Sequence, residues 1–196
     1  DKALMDFSDV SAGRCSLSAA AADHPKYPGL HLLTPPLSPG GQLDVTDEQM
    51  RQLLDQVRQE YDYCLIDAPA GLGQGFRLAT GCADCVVVIT TTDASALRDA
   101  QHTVMLLDPY FPQGRLHLVV NRVRRKLLRS LHATIDDAID TAGAPLLGVI
   151  PEDDALPVSL NQGTPLLLRS YNGAASAYRN IAIRLQGGKA PLLRIR

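Results

Sequence analysis

Residues 61–75 read Y-D-Y-C-L-I-D-A-P-A-G-L-G-Q-G. A short apolar run, Cys64-Leu65-Ile66, stops at one acid, Asp67, and a turn rich in Pro and Gly follows. An apolar strand ending in a single carboxylate is one way to set an acid beside a nucleotide-bound Mg²⁺. Pro69-Ala70-Gly71 then supplies a tight turn, and the Gly71 N–H can approach a phosphate closely because no Cβ intervenes. Asp-x-Pro is also an ordinary turn, so the stretch takes its meaning from the rest of the chain.

Outward from this stretch, apolar runs alternate with helical patterns. The expected strands are 31–34, 63–66, 86–90, 116–121 and 146–150, short and nearly continuous runs of the kind covered on both faces. Between the first two, residues 47–60 follow Thr46 as N-cap with Gln49 three positions on, a capping-box signature. Met50, Leu53, Leu54 and Val57 then recur at helical spacing. Further helices are expected over 95–107, 134–141 and 174–185, and 34–41 is a Pro/Gly-rich loop. The order implies an α/β fold, a mostly parallel doubly wound sheet flanked by helices. Ligands of such sheets bind outside the carboxyl ends of the strands. Those ends carry Asp67 with 69–71, residues 90–93, Asn121-Arg122, and Pro151-Glu152-Asp153.

Composition narrows the function classes. The chain has 196 residues, 45% hydrophobic and 20% charged, as a single globular domain would. A net charge of −2 gives no global reason to expect nucleic acid or an anionic membrane as partner. No apolar run approaches the ~20 residues of a membrane span, and no signal-peptide pattern is visible. Cys15, Cys64, Cys82 and Cys85 are too few for a disulfide scaffold. Cys82-Ala83-Asp84-Cys85 has C-x-x-C spacing but no second pair to complete four ligands, so buried structural thiols are expected.

Beyond the first stretch, the sequence carries A-D-C-V-V-V-I-T-T-T (83–92), A-S-A-L-R-D-A (94–100), V-V-N-R (119–122), L-L-G-V-I-P-E-D (146–153) and N-Q-G-T-P (161–165). With these words in this order, the chain resembles the MinD/ParA family of deviant-Walker P-loop ATPases, on its MinD side, from about residue 6 to about residue 185. ParA relatives more often have Pro-Pro where this chain has Pro69-Ala70.

The resemblance implies ATP and Mg²⁺ as cofactors of the intact protein. In that reading Asp67 is the catalytic and metal residue, orienting Mg²⁺ directly or through water. Pro69, Ala70 and Gly71 form a switch in which Gly71 senses the γ-phosphate. Asn121, whose amide both donates and accepts, reads adenine, Arg122 covers the ring, and Pro151 places a backbone turn against it. Glu152 and Asp153 either join the nucleotide site or cap the following helix. Arg98 and Asp99 match a helix start that meets protein partners, or are a solvated pair. The family's iron–sulfur members carry a cysteine where this chain has 69–71, so no cluster is expected.

The family's phosphate loop is absent from these residues: no G-x-x-x-x-G-K-[ST] occurs. The expectation is a nucleotide-hydrolase domain over 1–188, incomplete at its N-terminus, with a basic-apolar tail at 189–196. Whether the intact protein is an enzyme hinges on that loop, without which the fragment itself is inactive. The function implied is spatial regulation of cell division by an ATP-dependent homodimer, cytoplasmic and peripheral at the inner face of the membrane. Its partners would be cell-division regulators and, through the tail, an anionic membrane surface. The alternatives are a ParA-like ATPase for DNA segregation or flagellar placement, and a non-catalytic scaffold paralogue. The basic run Arg122, Arg124, Arg125, Lys126 and Arg129 is the DNA candidate, or else a solvated loop.

Overall fold

The computed structural model describes residues 5–35, 45–112, 114–124, 127–128 and 134–193. They form two compact units, Asp1–Ala83 and Asp84–Arg196.

In the first unit, α1 (Phe7–Ser11) and α3 (Asp47–Glu60) each start at a reciprocal capping box. At α3 the Gln49 N–H donates to Thr46 Oγ1 at 3.2 Å, and the Thr46 N–H donates to Gln49 Oε1 at 2.9 Å, as the sequence predicts. The apolar stripe of α3 buries Leu53, Leu54 and Val57 against Val10 of α1 and Leu17 and Ala20 of α2 (Leu17–Ala20). A second long helix, α4 (Gln74–Cys82), carries two interior glycines, Gly75 and Gly81, and the sequence reading misses it.

Two expected strands turn out otherwise. Only His31–Leu32 (β2) of 31–34 is a strand, and it pairs antiparallel with Ala22–Asp23 (β1) as a small hairpin. Residues 63–66 make no strand, and Tyr63 and Leu65 are exposed, Leu65 by 92%. An apolar run becomes a strand only when a neighbour satisfies its N–H and C=O groups, and among the described residues none ladders onto it.

The second unit is the α/β core. β3 (Val86–Thr90), β4 (Leu116–Val123) and β5 (Leu146–Pro151) form a parallel sheet in that order, with the near-continuous apolar runs that two covered faces require. The middle strand is deepest: Leu118 and Val120 are fully buried. Flanking helices are α5 (Ala94–Leu107), α6 (Ile135–Ala142), α7 (Ala155–Asn161) and α8 (Gly173–Leu185). Thr134 caps α6 in a box with Asp137, and Gly143 ends it in the left-handed conformation, φ +75°. α7 escapes the sequence reading because Pro157 lies inside it, though within the first turn where proline is tolerated.

α8 lies directly on β5. Ala174, Ala175 and Ala177 pack with Leu147, Ile150, Val119 and Leu166 in one buried cluster. The approach is close enough that Gly148 of β5 faces Ile181 with no room for a side chain between them. After α8 the tail is not helical over 189–193, in keeping with Pro191. It folds back instead: Asn180 Nδ2 donates to Pro191 O at 3.0 Å, and Leu193 packs on the buried cluster. Residues 194–196 lie outside the described residues. Among the described residues no helix is long and apolar enough to cross a membrane.

Candidate nucleotide site

The carboxyl ends of β4 and β5 meet in a local irregularity. Val120 pairs with Val149 and Val123 with Pro151, so Asn121 and Arg122 together oppose Ile150 alone. Two residues against one is a bulge, a device that re-aims side chains at the end of a strand. Arg122 takes φ +53° there, the one non-glycine residue of positive φ among the described residues. That conformation costs an L-residue roughly 1–2 kcal/mol.

Local bonds hold it. Asn121 Oδ1 accepts the Arg122 N–H at 2.9 Å, and the Glu152 N–H donates to Val123 O at 3.1 Å. The Glu152 carboxylate is bidentate on Arg124, with Arg124 Nη2 to Oε1 at 2.6 Å and Nε to Oε2, and its Oε1 lies 3.8 Å from Arg122 Nη2. Asn121 keeps its Nδ2 donor outside that local bond and stands half-buried at the strand end. Both arginine side chains are more than half exposed.

Asp153 is placed differently. Its Oδ1 accepts the Ala155 N–H at 3.0 Å at the start of α7, and its Oδ2 accepts the Ala174 N–H at 3.2 Å at the start of α8. Neither N-cap residue makes a side-chain cap of its own, so Asp153 serves both helix starts. Gly173 has φ +60°, and a Cβ there would lie 2.7 Å from Asp153 Oδ2, so the cap depends on that glycine.

At the end of β3, Thr91 Oγ1 donates to Asp93 Oδ2 at 2.6 Å, just before α5. Arg98 and Asp99 lie on the first half of α5, both exposed. Of the basic run, Arg125, Lys126 and Arg129 lie outside the described residues, while Arg122 and Arg124 face Glu152.

In the first unit, Asp67 and residues 69–71 are exposed on the irregular segment that runs into α4. Gly71 has φ +88°, and neither Gly71 nor Gly73 has any atom within 4 Å of where a Cβ would stand. A side chain at either position would meet open space, so packing does not explain these glycines. The cysteine expectation needs correcting: Cys82 is half-buried, but Cys85 is exposed on the edge leading into β3. Desolvation raises both thiols above their ordinary value, which leaves them poor nucleophiles.

Comparison with known proteins decides the family. The chain is 34% identical over 193 residues to the septum site-determining protein MinD of Bacillus subtilis, spanning 98% of this chain and 72% of that protein. The chain belongs to the MinD family. No family model matches the chain. The MinC:MinD cell division protein complex of Aquifex aeolicus superposes on the MinD-like fold with a TM-score of 0.85 at 28% identity, over 97% of this chain and 76% of that one. The MinD of Pyrococcus horikoshii complexed with Mg-ADP shares the fold at a TM-score of 0.78 and 23% identity, over 94% and 74%. The sequence reading placed the chain in this family and in the α/β class, and both stand. It missed the bulge at 121–122, the left-handed Arg122 and the Glu152 pairing, since residues 28 apart are joined only by the fold.

Proposed function

We propose that this chain carries the body of a MinD-like ATPase that places the division site, with residues 1–188 acting as one nucleotide-hydrolase domain and 189–196 as its tail. The observation that carries the reading is the 34% identity to a septum site-determining protein along 98% of the chain. Asp67 would hold Mg²⁺ and Gly71, whose φ of +88° suits glycine, would meet the γ-phosphate. Asn121 would read the adenine edge, Arg122 would lie over the ring, and Pro151 and Glu152 would border it. Mg²⁺ held at Asp67 would supply neutralisation of phosphate charge.

The resident residues bind and orient. Asn121 offers a donor beside an acceptor that its own bulge already engages. Asp153 holds the helix starts that frame the turn after Pro151. Arg98 and Asp99 are the candidate surface for cell-division regulators, since a relative was solved as a MinC:MinD complex. ATP would join two copies, and the pair would hold the tail at the anionic inner face of the membrane, since two weak anchors gain through effective concentration. DNA is the weaker reading, because Arg122 and Arg124 already face the Glu152 carboxylate. Asp67→Ala in the full-length protein tests the site. Mg²⁺-dependent ATP turnover should fall by at least ~10²-fold with the fold intact by circular dichroism. Unchanged kcat would remove Asp67 from the mechanism.

A further inference from the structure

Arg122 is held in the left-handed backbone region, disfavoured for an L-residue, at the end of the most buried strand of the sheet. Strain of this kind persists where the surroundings over-determine it. The surroundings converge on one residue. Glu152 ties its backbone N–H to Val123 O on the far side of the bulge, grips Arg124 through both carboxylate oxygens, and brings Oε1 to 3.8 Å from Arg122 Nη2. A carboxylate that only balanced surface charge would need one arginine. A bidentate guanidinium–carboxylate fork also fixes direction as well as distance.

We propose that Glu152 is a positioning residue for base recognition: by bracing the 121–122 bulge through Arg124 and Arg122, it sets the preference for adenine over guanine. Glu152 does not itself read the base. It fixes where the Asn121 amide and the Arg122 guanidinium stand, so losing it blurs base selectivity while leaving phosphate binding alone. The inference rests on the proposed nucleotide site.

The test uses the full-length protein, with calorimetric titration of Mg-ADP, Mg-GDP and Mg-pyrophosphate. Glu152→Gln keeps the size and removes the charge. It should weaken Mg-ADP at least fivefold, shrink the ADP-to-GDP affinity ratio, and leave Mg-pyrophosphate within twofold. Arg122→Gly relieves the left-handed strain, because glycine adopts positive φ freely, so it should melt no lower than the parent while losing the same selectivity. Because Glu152 acts partly through Arg122, adding E152Q to R122G should lower the affinity ratio by less than the two single losses together. Loss of base selectivity with Mg-pyrophosphate binding kept is a readout that a merely structural role would not produce, and Arg124→Ala, which removes the bidentate partner of Glu152, carries the test if E152Q fails to fold. Unchanged or tighter Mg-ADP binding by E152Q, or full additivity of the two changes, overturns the proposal. A parent protein that binds pyrophosphate but shows no ADP-over-GDP preference also overturns it, with the nucleotide site left standing. A parent that binds none of the three overturns the site itself.

Discussion

Replacing Gly148 with alanine should destabilise the second unit, and the size of the effect follows from the geometry. A Cβ at Gly148 would lie 2.3 Å from Ile181 Cγ1 and 2.7 Å from its Cδ1, but 3.8 Å from its Cβ. Comfortable carbon contact is about 3.5–4.0 Å, so the outer arm of Ile181 must retreat by more than about 1 Å. Its own Cβ, and the α8 backbone beneath, are not in the way. Ile181 packs beside the buried alanines of α8 and Leu147 of β5, so the arm has little free space to enter. Overpacking of this kind costs about 1–3 kcal/mol, offset by about 0.5–1 kcal/mol because alanine loses less conformational freedom than glycine on folding. The expected net loss is about 0.5–2 kcal/mol. Ile181→Ala removes both clashing atoms, so in that background Gly148→Ala should be neutral or stabilising, with a coupling energy of about 1–3 kcal/mol. Equilibrium urea unfolding of the parent, the two single variants and the double variant reads the cycle. A Gly148→Ala change that leaves stability untouched in both backgrounds would refute the close packing of β5 on α8.

Other outcomes follow from the caps. Asp153→Ala removes acceptors from the first turns of α7 and α8 and should lower stability by about 1–2 kcal/mol in urea unfolding. Loss of nucleotide affinity at full stability would instead put Asp153 in the ligand site. Asp9 and Asp137 are held below the usual 3.8 by capping bonds, from the Asp6 backbone and from Thr134 respectively. Their folded-state values are depressed, so the stability they add is present above about pH 4 and is lost as pH falls through those lower values. Asp137→Asn should therefore flatten the acid limb of the stability–pH curve, and an unchanged limb would show that the Thr134 box does not titrate with folding.

Local chemistry was legible and long-range chemistry was not. The Thr46–Gln49 box and the apolar spacing of α3 are written in adjacent residues, and the helix forms where they place it. The runs at 86–90, 116–121 and 146–150 became parallel strands because each found a laddering neighbour. The run at 63–66 reads the same way and does not form one, since pairing is a property of the neighbour and not of the run. Gly75, Gly81 and Pro157 weakened the local signal over α4 and α7, which tertiary packing restores. At the site, the residue types at strand ends were readable from topology alone. The bulge that turns Arg122 left-handed is set by the register between β4 and β5, and no window of sequence records it.

The most direct test of the account is co-sedimentation of the full-length protein with anionic phospholipid vesicles, in Mg-ATP and in Mg-ADP, beside a variant lacking 189–196 and a parallel arm with duplex DNA. A nucleotide-switched membrane ATPase should sediment with vesicles in ATP, little in ADP and not without the tail, and should show no ATP-dependent retention on DNA. Vesicle binding indifferent to nucleotide and tail, or ATP-dependent retention on DNA in its place, would contradict it.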